Sequence, residues 1–200
     1  SRTTGGALWM WIGNGSVFTG TNIGTYPAGW DTIDSTDVDG DGKRDLVVAN
    51  GADSVSVLRG TGAGAFSTAV AYAVAGNPIS VAIDDFNVDG KPDLAVASEN
   101  NATVSTLFGN GAGGFGTATP IPVGQKPRAV VSEDFNTDGK PDLAVANWDS
   151  ANVSILLGSG AGAFHAAVNY PASALPTALA LVDFDADDRL ELVVANETSL

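Results

Sequence analysis

Apolar and small polar residues alternate along four short stretches of this chain: "ALWMWIG" (7–13), "SVSVLRG" (54–60), "TVSTLFG" (103–109) and "NVSILLG" (152–158). Alternation of this kind predicts a strand with one buried face. Each stretch runs into a Gly-rich turn: "WIGNGSVF" (11–18), "RGTGAGAF" (59–66), "FGNGAGGF" (108–115) and "LGSGAGAF" (157–164). A strand, a Gly-rich turn and a further strand predict a hairpin. Two more strand candidates flank an acidic stretch. "ISVAIDDF", "RAVVSEDF" and "TALALVDF" precede it, and "DLAVA" or a close variant follows. Each unit therefore holds four short strands: A before the acidic stretch, B after it, C before the Gly-rich turn and D after it.

The units repeat. The acidic stretches read "DVDGDGKRDLVVAN" (37–50), "DFNVDGKPDLAVAS" (85–98), "DFNTDGKPDLAVAN" (134–147) and "DFDADDRLELVVAN" (183–196), with first residues spaced by 48, 49 and 49. Phe18, Phe66, Phe115 and Phe164 of the Gly-rich turns keep the same spacing. A period of 40–50 residues with four strands per unit predicts propeller blades. The expected fold is all-β: a β-propeller or propeller-like array forming a single repeat domain over 1–200. The chain opens on strands C and D (about 7–28) and closes on A and B (about 177–196). These half-blades are complementary. They could pair within one chain, between two chains or along a filament, or belong to a longer propeller. Unpaired strand edges are normally covered, and head-to-tail contacts give rings or filaments.

The acidic stretch has the chemistry of a calcium loop. Its positions 1, 3, 5 and 9 are Asp37, Asp39, Asp41 and Asp45, then Asp85, Asn87, Asp89 and Asp93. The third and fourth copies place Asp134, Asn136, Asp138 and Asp142, and Asp183, Asp185, Asp187 and Glu191 there. All carry side-chain oxygens, and calcium takes six to eight oxygens in flexible geometry. The backbone carbonyls of Lys43, Lys91, Lys140 and Arg189 at position 7 would add another. Position 6 calls for a left-handed turn, which Gly42, Gly90 and Gly139 permit. Asp188 takes that place in the fourth copy, at some cost. An EF-hand is excluded, because position 12 is Val48, Val96, Val145 or Val194 rather than glutamate. Up to four Ca²⁺ are expected. Magnesium fits less well, since it keeps its water. Solvated Asp/Gly turns are the plainer alternative, and four copies in one register weigh against it.

Composition narrows the function. The formal charge is −14, with 9 Lys and Arg against 23 Asp and Glu. That argues against nucleic acid and anionic membranes, and no apolar run is long enough to span a bilayer. The loop positions named above hold 14 of the acidic residues, which a bound cation would relieve. The absence of cysteine excludes disulfides and thiol chemistry and suits a secreted protein held by metal. His165 is the single histidine and no catalytic pattern surrounds it, so no enzyme is expected. Asp31, Asp34, Asp53, Asp84, Glu99, Glu133, Asp149 and Glu197 form no evident constellation. Trp9, Trp11, Trp30 and Trp148 are candidate sugar platforms. Trp9 and Trp11 share a strand face, which core packing explains at least as well. Trp148 follows strand B, where its counterparts are Gly51, Glu99 and Glu197. Asn14, Asn101, Asn152 and Asn196 begin N-x-S/T sequons.

"DFNVDGKPDLAVAS", "DFNTDGKPDLAVAN" and the "GNGAGGF" type of turn resemble the FG-GAP/VCBS repeat family, the blades of integrin-α-type β-propellers. The resemblance covers roughly 7–196. It implies calcium in the loop joining strands A and B, at one rim of the propeller, and a usual count of seven blades. "LWMWIGNGSVF" and "AGWDTIDSTDVDGDGKRDL" resemble a tryptophan-rich variant of secreted bacterial propellers. Such repeats occur in adhesins, in lectin-like proteins and beside polysaccharide-degrading domains. The expected function is an extracellular or cell-surface calcium-binding module with a structural, adhesive or assembly role. Its expected partner is itself, through the half-blades as dimer, ring or filament, or another protein or glycan. A carbohydrate-binding lectin and a non-catalytic accessory domain are the alternatives. Calcium is expected to act as a clamp, with dissociation constants of about 10⁻⁴–10⁻³ M or tighter.

Overall fold

The structure, a computed structural model, describes residues 6–13, 18–26, 30–187 and 189–198, with side-chain surroundings from residue 32 onward. Asn14 and Asp188 lie outside the described residues, as do the side chains of Trp9, Trp11, Trp30 and Asp31. The described residues form strands and loops without helix. The chain opens with β1 (Gly6–Gly13) and β2 (Phe18–Tyr26), which pair as a two-stranded sheet. The first complete blade is β3 (Trp30–Thr36), β4 (Asp45–Asn50) and β5 (Ser54–Leu58), then, after a small hairpin of β6 (Gly60–Gly62) and β7 (Ala65–Phe66), β8 (Val70–Ala73). The second is β9 (Pro78–Asp84), β10 (Asp93–Ser98), β11 (Thr103–Leu107) and β12 (Thr119–Pro122). The third is β13 (Pro127–Glu133), β14 (Asp142–Asn147), β15 (Asn152–Leu156) and β16 (Val168–Pro171). β17 (Leu175–Val182) and β18 (Glu191–Glu197) form a last two-stranded sheet. All pairings are antiparallel. The expected order A–B–C–D holds in every complete blade. The A strands stand side by side, β3 against β9, β9 against β13 and β13 against β17, as in a propeller.

The core lies between blades. One cluster joins Val47, Val55 and Val57 of the first blade to Val81, Leu94, Val96 and Leu107 of the second. Another joins Ala82, Ala95, Ala97 and Val104 of the second to Val130, Leu143, Val145 and Leu156 of the third. Strand β10 shows the rule. Leu94 and Val96 face the preceding blade, Ala95 and Ala97 the following one, and all are buried. Alanines of the second blade meet leucines and valines of the third, whereas valines of the first blade meet valines and leucines of the second.

Two local expectations change. The C strands were expected to bury one face, yet Ser56, Ser105 and Ser154 on the other face are buried too. A blade packed on both sides has no solvent face, so these hydroxyls need partners. The Asn50 amide donates to Ser56 Oγ at 2.8 Å and the Asn147 amide to Ser154 Oγ at 2.7 Å. Strands β1 and β2 pair as the expected C–D hairpin, but in the complete blades the Gly-rich turn does not simply join C to D. It is a separate loop, closed by the β6–β7 pair or by the bridges Gly109–Phe115 and Gly158–Phe164, and D begins beyond it. The loop reaches sideways instead. Gly113 N–H donates to Val38 O at 3.2 Å and Gly162 N–H to Phe86 O at 3.1 Å, tying each turn to the acidic loop of the preceding blade.

Candidate metal centre

The acidic loops connect A to B in each blade. The first carboxylate of each complete loop winds the chain around itself. Asp85 accepts from Asp89 N–H at 3.0 Å and from Gly90 N–H at 2.7 Å. Asp134 repeats this with Asp138 (3.0 Å) and Gly139 (2.7 Å). Asp37 takes Gly40 (2.7 Å), Asp41 (3.2 Å) and Gly42 (2.7 Å). Position 3 then accepts from position 5 N–H, as Asn87 does at 3.0 Å and Asp39 at 3.2 Å. These side-chain-to-backbone turns are what Asp and Asn favour. In the first loop, oxygens of Asp37, Asp39 and Asp41 lie within 4.8 Å of one another, and in the fourth those of Asp183, Asp185 and Glu191 do. These two clusters could hold a metal ion. The second and third loops have the same winding with Asn87 and Asn136 at position 3, so fewer charges.

Gly42, Gly90 and Gly139 adopt φ of 81°, 81° and 79°, as position 6 required. Position 4 is left-handed as well, in Gly40, Val88, Thr137 and Ala186. Sequence reading missed this, because valine and threonine hide the signal that glycine would give. Val88 sits at φ 57° with its side chain 58 % exposed, so no packing holds it there. A β-branched residue in this region is strained by roughly 1–2 kcal/mol. Val88→Asn, whose side chain tolerates the left-handed region, is expected to raise stability by about 0.5–1 kcal/mol, read as a higher urea midpoint.

The position-7 lysines act through their side chains. Lys43 Nζ pairs with Asp41 Oδ2 at 2.5 Å, Lys91 with Asp89 at 2.9 Å and Lys140 with Asp138 at 3.0 Å. These bonds hold the carboxyls of Asp41, Asp89 and Asp138 below the usual aspartate range. Arg189 N–H donates to Asp187 at 2.9 Å.

Position 9 has a second structural duty. Asp45, Asp93 and Asp142 are fully buried. Their Oδ1 atoms accept from Gly60, Gly109 and Gly158 N–H, each at 2.7 Å. Their Oδ2 atoms accept from Val38, Phe86 and Phe135 N–H at 2.8, 3.1 and 3.1 Å. One carboxylate thus clamps the acidic loop to the Gly-rich turn. Glu191 accepts from Phe184 N–H at 2.8 Å in the same way. Burial, with the charges of Asp89 and Asp85 nearby, pushes Asp93 up to about 6, and burial raises Asp142. A raised carboxyl is protonated more readily folded than unfolded. Its stabilising contribution is therefore fullest at low pH and is lost as pH rises from about 4 to about 6. Asp93→Asn should flatten that segment of the pH–stability curve of the calcium-free protein, measured by urea midpoints.

At the opposite ends of these strands, Glu99, Trp148 and Glu197 line one cleft of about 480 Å³ with Thr32, Asn77, Ile79, Arg128 and Thr177. Three of the four equivalent post-B positions meet there. Trp148 Nε1 donates to Glu197 at 3.1 Å, and Arg128 pairs with Glu99 at 2.8 Å. Lys126 and Arg128 lie 5.0 and 5.6 Å from the centre of the Trp148 ring. The sequence showed these carboxylates as scattered; only blade stacking assembles them.

The FG-GAP-like repeat matches three overlapping times, over residues 37–96, 85–145 and 134–194. The chain belongs to the FG-GAP-like repeat family. Each match runs from one acidic loop through the next loop to its B strand, so the repeat unit spans the contact between neighbouring blades. No curated protein matches the chain. Among solved structures, BBS1N in complex with ARL6DN is similar with a TM-score of 0.60 and 18% identity, over 84% of this chain and 52% of that one. An Agrocybe aegerita lectin that recognises non-reducing terminal N-acetylglucosamine is similar with a TM-score of 0.64 and 16% identity, over 93% of this chain and 54% of the lectin. This FG-GAP-like chain thus spans about half the length of these two solved chains. The likeness is one of fold and supports the propeller architecture.

Proposed function

We propose that this β-propeller module is extracellular, is stabilised by up to four calcium ions and serves a structural or adhesive role without catalysis. The observation that carries the reading is the loop winding: in every acidic loop backbone N–H groups hold the oxygens of successive acidic or amide side chains, and in the first and fourth loops three carboxylates come within 4.8 Å of one another. Hard oxygen donors in a flexible loop suit calcium over transition metals. His165, the one histidine, is exposed and belongs to neither carboxylate cluster. The half-blades β1–β2 and β17–β18 support an assembly role, since each offers the strands the other lacks. The test is isothermal calorimetry of the EDTA-stripped protein. Saturable calcium binding at two or more sites per chain, without a comparable magnesium response, is expected; heats of simple dilution would end the calcium reading.

The cleft around Trp148 supports a second reading, carbohydrate binding. It sets an aromatic ring beside carboxylates, an amide and hydroxyls, groups that suit a sugar's apolar face and its hydroxyls. Glycan-array binding by the parent protein and its loss in Trp148→Ala would favour this reading; an array blank for both would discard it.

A further inference from the structure

We propose that the cleft between the first and second complete blades binds an uncharged aromatic molecule carrying one hydrogen-bond donor, a phenol in the simplest case. The site is separate from the acidic loops and from the Trp148 cleft, and it goes beyond both readings above.

The cleft encloses about 840 Å³, within the range of ligand sites. One wall is β8 and the residues after it. The other is β11, β12 and the stretch from Phe115 to Ala118. Tyr72 and Phe115 meet edge-on across the junction with ring centres 5.5 Å apart, and Ala118 and Pro120 extend the apolar surface. The Tyr72 hydroxyl is engaged, donating to Gly113 O at 3.3 Å. No charged side chain lines the cleft, although the protein carries a formal charge of −14. An ionic ligand would leave water there without a counter-charge.

The junction between the second and third blades shows what this one lacks. There the Asn147 amide donates to Asn152 Oδ1 at 2.8 Å and to Ser154 Oγ at 2.7 Å, and Ser154 Oγ donates to Asn169 Oδ1 at 2.7 Å. The same strand positions in the second blade hold Ser98, Thr103, Ser105 and Pro120. Ser98 is too short to replace the amide, and its own hydroxyl is buried without a partner. Ser105 lines the cleft, is only 4 % exposed, and its hydroxyl has no hydrogen-bond partner among the described residues. Ser56 and Ser154 each have an amide donor in that place, as buried hydroxyls normally require.

A second exchange keeps the amide out. A Cβ on Gly124 would lie 2.6 Å from Asn147 Cγ. Val74 and Val123 correspond, since each N–H donates to the carbonyl just before strand C, Asp53 O or Ala102 O. Ala75 is therefore the counterpart of Gly124, and its methyl bars an asparagine from the place of Ser98. What the junction lacks is one neutral donor beside an aromatic wall. A phenol supplies both, with its ring against Tyr72 and Phe115 and its hydroxyl on Ser105 Oγ. Ser105 is the one buried polar side chain of the lining, so the inner end of the ligand needs one polar group. A sugar would set several hydroxyls against alanine and proline.

The probes are 2-naphthol, which is fluorescent and uncharged at neutral pH, 2-methoxynaphthalene, which lacks the donor, and the anion 2-naphthoate. The parent chain is expected to bind 2-naphthol saturably at one site, at least threefold tighter than 2-methoxynaphthalene and at least tenfold tighter than 2-naphthoate. Ser105→Ala should erase the preference for 2-naphthol over 2-methoxynaphthalene and leave binding of the latter unchanged. The double variant Ala75→Gly/Ser98→Asn rebuilds the amide of the next junction. It should bind 2-naphthol at least tenfold more weakly and melt no lower than the parent. 4-Methylphenol against N-acetyltyrosinamide separates the sources: tighter binding of the first supports a free phenol, and of the second a tyrosyl side chain in the same cleft. Equal binding of the three naphthalenes, or a preference that survives Ser105→Ala, would overturn the proposal. So would saturable binding of methyl glucoside that Ser105→Ala abolishes while 2-naphthol stays silent, which would give the cleft to a sugar.

Discussion

Gly109→Ala is expected to destabilise the protein by about 3–5 kcal/mol, the range for stranding a buried charge. The added Cβ would fall on the Pro92 carbonyl, which is backbone and has no rotamer to escape into, with the Phe115 ring 3.4 Å away on another side. Relief requires moving Gly109, and that movement breaks its 2.7 Å bond to Asp93. The Asp93 carboxylate is fully buried and would lose its shortest hydrogen bond. For a domain of this size the melting temperature should fall by about 10 °C or more, at roughly 2–4 °C per kcal/mol. Gly116→Ala is the control. It lies just past the same turn, and its nearest neighbour would be Phe108 O at 3.7 Å, an ordinary contact. It should melt within about 2 °C of the parent, as surface substitutions usually do. Equal melting of the two variants would show that the clamp does not hold the blade together.

The comparison of these glycines shows what a sequence can and cannot convey here. The period, the four strands per unit and the left-handed Gly42, Gly90 and Gly139 were legible, because each depends on local chain geometry. The role of Gly109 was not. Its neighbour is Pro92, which strand pairing rather than sequence proximity brings to it. The same holds for Ser105, which pattern alone assigns to a wet face and blade stacking buries. Trp148 was singled out as unusual, but its meeting with Glu99 and Glu197 depends on the fan of three successive sheets. Position 9 was read as a loop oxygen, and the structure gives it backbone partners on two sides. Residue chemistry was therefore readable wherever the loop acts alone, and hidden wherever one blade acts on another.

Calcium should raise the melting temperature, and two filled sites together should match the loss expected for Gly109→Ala. Each site that binds only the folded chain adds about 2.7 kcal/mol at a free calcium concentration one hundred times its dissociation constant, or about 5–10 °C by the same conversion. The loops should not contribute equally. The first brings three carboxylates within 4.8 Å, whereas the second and third place Asn87 and Asn136 between two aspartates. Binding must also compete with the ammonium groups of Lys43, Lys91 and Lys140, which already neutralise one carboxylate per loop. Asp39→Asn separates charge from shape. The amide oxygen can still accept from Asp41 N–H, as Asn87 does from Asp89, so the metal-free loop should keep its winding and its stability within about 0.5 kcal/mol. Its calcium affinity should fall by about tenfold, the loss expected for roughly 1.4 kcal/mol of attraction. Asn87→Asp should move the second loop the other way. If the parent melts at one temperature in millimolar calcium and in EDTA, the lysines, not a metal, are the counter-charge that lets these loops fold.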